Sequence, residues 1–153
     1  MASILLNIGI VIGTFLFMEF MAWFTHKYVM HGFLWYLHKD HHDKSLAPHP
    51  FEKNDAFFLI FALPSMALIA LGFAEFDYRF FIGLGIAVYG AAYFFVHDLF
   101  IHQRAKVLRN AKGRYWQAVR RAHKMHHKHL GKHKGESFGM LIVNRKYWPK
   151  SSA

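Results

Sequence analysis

"ILLNIGIVIGTFLFMEFMAWF", residues 4–24, runs for 21 positions with Asn7, Thr14 and Glu19 as its only polar side chains. At about 1.5 Å of helical rise per residue, such a run is roughly 30 Å long, the thickness of a bilayer's hydrocarbon core. Composition agrees: 54% of the 153 residues are hydrophobic and 17 are Phe, which is too apolar for an ordinary soluble domain. No Lys or Arg precedes Lys27, and the run exceeds the apolar core of a signal peptide, so a retained anchor is expected. No Arg- and Ser-rich transit peptide precedes it, which points to a bacterial membrane.

Two further apolar segments, 56–73 and 80–96, are near the short limit for crossing. Pro64 lies in the first of them; a membrane helix tolerates it when neighbours satisfy the freed carbonyl. Between them the link "EFDYR" sets Arg79 against Glu75 and Asp77, and 14 of the 19 Lys and Arg residues follow residue 103. The positive-inside rule then gives three crossings of the cell inner membrane, N-terminus outside and C-terminus cytoplasmic. The basic flank suits anionic lipid headgroups; without a recognition motif, no nucleic-acid partner is expected. The expected fold is all-α: one domain over 1–153, an integral membrane helical bundle of three long helices with a cytoplasmic histidine-rich helical cap. "GLGIAVYG", residues 83–90, reads as close helix packing.

A membrane hairpin of segments two and three returns the chain to the side where segment one emerged, and both places are rich in histidine. "HKYVMHGFLWYLHKDHH", residues 26–42, supplies His26, His31, His38, His41 and His42; residues 97–127 repeat the spacing with His97, His102, His123, His126 and His127. In "HKDHH" and "HKMHH" the first imidazole lies about 60° and 40° around a helix from the next two, so the three share a face. The wider spacing, His26 to His31 and His97 to His102, puts each pair about 140° apart on an ideal α-helix. Those pairs must straddle one or two centres, or use a local π-bulge.

Ten potential cations in one place are unfavourable unless metal keeps them neutral, and neutral imidazole is the commonest metal ligand. The chain has no Cys, which removes thiolate zinc sites, iron-sulfur clusters and thiol nucleophiles. Ten nitrogens suit two ions at five each, leaving roughly one open position per six-coordinate ion, whereas structural zinc closes at four. Imidazole also accepts zinc, copper and nickel, so the ligands alone leave the metal open. Asp40 and Asp98 adjoin patterned histidines and could accept a ring N–H. Glu19, inside the first apolar segment and seven residues before His26, is costly in lipid; it either lines a path from lipid to metal or makes an interhelical hydrogen bond. His49 stands outside the pattern.

The four boxes "HKYVMH", "HKDHH", "HDLFIH" and "HKMHH" resemble those of the membrane fatty acid hydroxylase superfamily and, more narrowly, of the bacterial-type β-carotene 3-hydroxylases. The likeness extends over nearly the whole chain, including "GESFGMLIV" after the last box. It implies a non-haem di-iron monooxygenase with two iron ions and O₂ as co-substrate, converting β-carotene through β-cryptoxanthin to zeaxanthin. The ten patterned histidines are the implied metal ligands, with His129 and His133 of "HKHLGKH" as outer members. A ferredoxin-type donor is implied too, since the chain has no dinucleotide fingerprint or iron-sulfur Cys of its own. The basic stretch "RNAKGRYWQAVRRAHK" could steer an acidic donor or bind lipid headgroups. A fatty acid or sterol hydroxylase, a carotenoid ketolase and a non-enzymatic zinc-binding membrane protein are the competing readings.

Overall fold

The computed structural model describes residues 2–46, 51–106 and 110–150, so His49 and Arg109 lie outside the described residues. It is all-helical, with no strand among them. Three helical stretches are long and apolar enough to cross a membrane: Ala2–Phe33, Lys53–Gly72 and Tyr78–Ile101. Their α-helical parts are α1 (Ala2–Phe24), α3 (Ala56–Gly72) and α4 (Tyr78–Phe94), while α2 (Trp35–His42) and α5 (Arg114–His126) carry the two histidine triplets. Helix α3 runs unbroken through Pro64. Leu5, Leu16, Phe58 and Leu63 are exposed along the bundle, as a lipid solvent requires.

Helix α4 packs against both α1 and α3, and two glycines explain how. Gly83 and Gly85 are two residues apart, about 200° around the helix, so they face opposite neighbours. A Cβ on Gly83 would lie 2.8 Å from the Ser65 carbonyl oxygen of α3, and one on Gly85 would lie 2.6 Å from the Thr14 Cβ of α1. Backbones therefore approach closely on both sides, and Ser65 Oγ donates to the Gly83 carbonyl at 2.8 Å. Nothing lies within 4 Å of a Cβ on Gly90; that third glycine of the motif is not a packing contact. Asp77 caps α4, accepting from the Arg79 backbone N–H at 2.9 Å.

Below α1 and α4 the helices change pitch. Thr25–Phe33 and Phe95–Ile101 are π-helical, and His102 N–H donates to the His97 carbonyl five residues back at 2.9 Å. Closing bonds five residues apart widens the turn and brings side chains at that spacing toward one face. The ring centroids of His97 and His102 are 4.5 Å apart and those of His26 and His31 are 5.3 Å apart. Of the arrangements the spacing allowed, the π-bulge occurs in both helices. A kink at Gly32 then turns the chain into α2.

Helix α5 is held by an apolar cluster of Val96, Phe100, Val119 and Met140, with Trp116 packed against it. This cluster joins α5 and the C-terminal segment to the π-turn below α4, which aims His123 at that turn's histidines, His97 and His102, while His126, nearly one helical turn on, reaches those that follow α1.

Gly85→Leu should therefore force α1 and α4 apart, lowering thermal stability in detergent by about 1–3 kcal/mol or more. Gly90→Ala should leave it unchanged, and thermal unfolding of the two purified variants compares them directly.

Candidate metal centre

The ten patterned histidines converge at the C-terminal ends of α1 and α4, but their division differs from the sequence halves. His26, His31, His38, His42 and His126 form one group and His41, His97, His102 and His123 another, the ligand nitrogens of each group lying within 4.8 Å of one another. Each group draws on both halves. In α2, His38 and His42 are one turn apart and enter the first group, whereas His41, 100° from His42, enters the second. Likewise α5 gives His126 to the first and His123 to the second. The His127 ring lies between, 4.4 Å from His42 and 4.5 Å from His123 by centroid. Nine of the ten thus fall five and four, each group built across the halves, with His127 beside both.

The hydrogen bonds specify the chemical form of these rings. Nδ1 of His26, His31, His42 and His126 donates to the backbone carbonyls of Phe138, Lys132, His129 and Glu136 at 3.0, 3.0, 3.1 and 3.0 Å. His38 Nδ1 donates to Asn54 Oδ1 and His41 Nδ1 to Glu52 Oε2, both at 2.7 Å. An oxygen of these kinds only accepts, so Nδ1 carries the proton and the neutral ring presents a bare Nε2. Yet Nε2 of His26 faces Nε2 of His38 at 3.2 Å, and Nε2 of His31 faces those of His42 and His126 at 3.1 and 3.2 Å. Acceptor opposes acceptor in buried space.

Protonation is no remedy. Burial, then the neighbouring His42, lowers the pKa of His38 and of His126 to about 2, and burial with His31 lowers that of His42 to about 4. His41 and His123 are held well below the ordinary imidazole value, by burial first and His97 second. The Nε2 of His41 is buried with no hydrogen-bond partner. A cation between the rings turns these opposed lone pairs into ligands, so the donor set fits two metal ions.

Comparison with known proteins bears on the same residues. The fatty acid hydroxylase family model matches residues 11–144. The chain belongs to that family. It is similar to the β-carotene hydroxylase of Pseudescherichia vulneris, 39% identical over 141 residues covering 92% of this chain and 79% of the relative. For the β-carotene hydroxylase of Paracoccus sp. (strain N81106 / MBIC 01143) the identity is 36% over 138 residues, covering 90% and 84%. The chloroplastic β-carotene 3-hydroxylase of an Oncidium hybrid cultivar is 38% identical over 143 residues, 90% of this chain but 45% of the relative. This hydroxylase-family chain thus spans less than half of that plant protein. No solved structure matches it.

Several outer residues differ from expectation. Asp98 accepts from His97 Nδ1 at 3.2 Å, but Asp40 is buried with its Oδ2 on the Lys53 backbone N–H, and no ring nitrogen donates to it among the described residues. Helix α2 turns Asp40 toward the segment preceding α3. His129 contributes its carbonyl rather than its ring, and His133 is exposed. Glu52 and Asn54 were absent from the sequence reading. Their signal was available: "EKND" sets two acids directly before a membrane helix in a chain with only 9 Asp and Glu.

Glu19 is a clamp. Its Oε1 accepts from the backbone N–H groups of Met140, Leu141 and Ile142 at 3.0, 2.8 and 2.9 Å, and its Oε2 from Tyr89 OH at 2.7 Å. One carboxylate therefore ties α1, α4 and the C-terminal segment together within apolar surroundings. That segment carries the carbonyls of Glu136 and Phe138 that orient His126 and His26. Glu19 also borders a cavity of about 430 Å³ whose wall joins Leu16, Phe20, Trp23, Phe138 and Ile142 to the polar Ser137, Asn144 and Lys146. Of the two alternatives posed by the sequence, the interhelical hydrogen bond is present, from Tyr89 OH of α4 to Glu19 of α1.

Glu19→Ala should leave four donors without their acceptor, at about 1–3 kcal/mol before relaxation for each of the two that are buried, Met140 N–H and Tyr89 OH, and less for the part-buried pair. Faster limited proteolysis within residues 136–144 is the expected outcome, with Glu19→Gln intermediate because it keeps one acceptor oxygen.

Proposed function

We propose that this chain is an O₂-dependent membrane hydroxylase acting at C3 of the β-ionone rings of β-carotene, giving β-cryptoxanthin and then zeaxanthin. The observation carrying this reading is the pair of buried histidine groups whose Nε2 atoms oppose one another, in a chain whose relatives are β-carotene hydroxylases. Two iron ions are the proposed cofactor, with the nine grouped histidines and His127 as their ligands. Bound there, iron supplies the O₂ activation that no side chain can, since an unactivated ring carbon needs a stronger oxidant. Overall, R–H, O₂, two electrons and two protons become R–OH and H₂O.

The protein's own part is orientation and exclusion of water. Each Nδ1 bond fixes its ring's tautomer and direction before substrate arrives. Phe138 stands edge-on to His26, His31 and His126, at centroid distances of 5.5, 5.1 and 5.2 Å, and keeps water from that face of the first group. Beyond Phe138 lies the 430 Å³ cavity, whose Leu16 and Phe20 are exposed on the lipid side of α1. An apolar polyene dissolved in the bilayer can bring one ring to this wall without crossing water.

The second group opens elsewhere. A cavity of about 390 Å³ reaches His41, His102 and His123 past Arg120 and Lys124. In the proposed topology this opening faces the cytoplasm of a cell whose inner membrane holds the three helices, N-terminus outside. Its cationic border suits an acidic electron donor of the ferredoxin type, and basic side chains nearby suit anionic headgroups.

Expression in β-carotene-accumulating bacteria should convert the pigment to its mono- and dihydroxylated forms, separable by chromatography with mass detection. Unchanged β-carotene beside membrane-inserted, iron-loaded protein would reject the substrate. His41→Ala and His126→Ala should each abolish product while the chain still enters the membrane fraction; near-normal turnover by either removes that residue from the ligand set.

A further inference from the structure

The two histidine groups are backed by different chemistry. In the first, every ring donates its Nδ1 proton to a neutral oxygen: four backbone carbonyls and the Asn54 amide. In the second, the two such bonds described both end on carboxylates, His41 on Glu52 at 2.7 Å and His97 on Asp98 at 3.2 Å. Arg104 locks this arrangement, its guanidinium lying 2.9 Å from Asp98 Oδ1, 3.7 Å from Glu52 Oε2 and 2.6 Å from Asp55 Oδ1. Three carboxylates thus meet one guanidinium on this side of the second group, while Arg120 and Lys124 border its open side. Glu136, whose backbone carbonyl serves the first group, has its own carboxylate engaged by Lys146.

This difference has a definite effect on a bound ion. An imidazole that shares its Nδ1 proton with a carboxylate acquires partial anionic character, which makes Nε2 the stronger electron donor. A neutral carbonyl fixes the same tautomer with a smaller gain.

We propose that the two metal positions are inequivalent: the one among His41, His97, His102 and His123 binds its ion more tightly and favours the more highly charged ion, because Glu52 and Asp98 back its imidazoles. This inference rests on the reading that both groups hold metal. Counting the grouped imidazoles, five against four with the intervening His127 left aside, gives the opposite order, so the order of filling separates the two accounts. Glu52 and Asp98 act as positioning and tuning residues, through the ring nitrogens and not on the reacting atoms.

The test is a titration of the full chain, purified in detergent and stripped by chelator, with Co²⁺ followed by its visible absorption. Two steps are expected. Glu52→Gln should weaken the tighter step by about 10–100-fold and leave the weaker one in place. Asp98→Asn should act on the same step by a smaller factor, since its bond is longer. Asn54→Asp, which gives His38 of the first group a carboxylate partner, should tighten the weaker step, a gain that misfolding cannot produce. Equal steps in the wild type, loss at the weaker step in Glu52→Gln, or no gain in Asn54→Asp would each overturn the inference. Absence of any cobalt binding would overturn the metal reading beneath it.

Discussion

Bare nitrogen facing bare nitrogen is the constraint on which the cap of this protein depends. Three Nε2 pairs of the first group meet at 3.1–3.2 Å, a separation that two acceptors avoid unless something positive joins them. Every ring in those pairs is prevented from turning away by a second bond at Nδ1. The elements supplying those bonds come from across the chain: Asn54 from the approach to α3, and carbonyls from residues 129–138 after α5. The fold below the membrane is thus a set of braces on imidazoles, and its apolar content is small beside that of the helices above it.

Those helices supply alignment. Gly83 and Gly85 let α4 approach α3 and α1 at backbone distance, and the π-turns that continue α1 and α4 emerge side by side. Each π-turn rotates a pair of histidines from divergent to common direction, and this permits groups assembled from both ends of the chain. Glu19 closes the arrangement from above by holding the C-terminal segment against the bundle through three backbone N–H groups. A carboxylate placed among apolar helices is costly, and four donors offset that cost here.

Much of this was legible in advance, for identifiable reasons. Membrane helices announce themselves because length and apolarity are properties of contiguous residues, and the three segments lie within the observed helices to within a few positions. The histidine spacing showed which residues belong together and that an ideal α-helix could not align His26 with His31. How the triplets divide was not legible, since a helix angle relates His41 to His42 but not to centres whose places depend on another helix. The backing oxygens were hidden more thoroughly. A carbonyl has no side-chain signature, so Lys132, Glu136 and Phe138 carry their role in the path of the backbone alone.

That dependence on the backbone has a temporal side. The first group begins at His26, which is synthesised well before the residues 129–138 whose carbonyls secure its rings. Until that segment is synthesised and clamped by Glu19, His26, His31, His42 and His126 remain free to rotate and can offer either ring nitrogen. Maturation of the site is therefore a late event, completed only after all three membrane helices have been inserted.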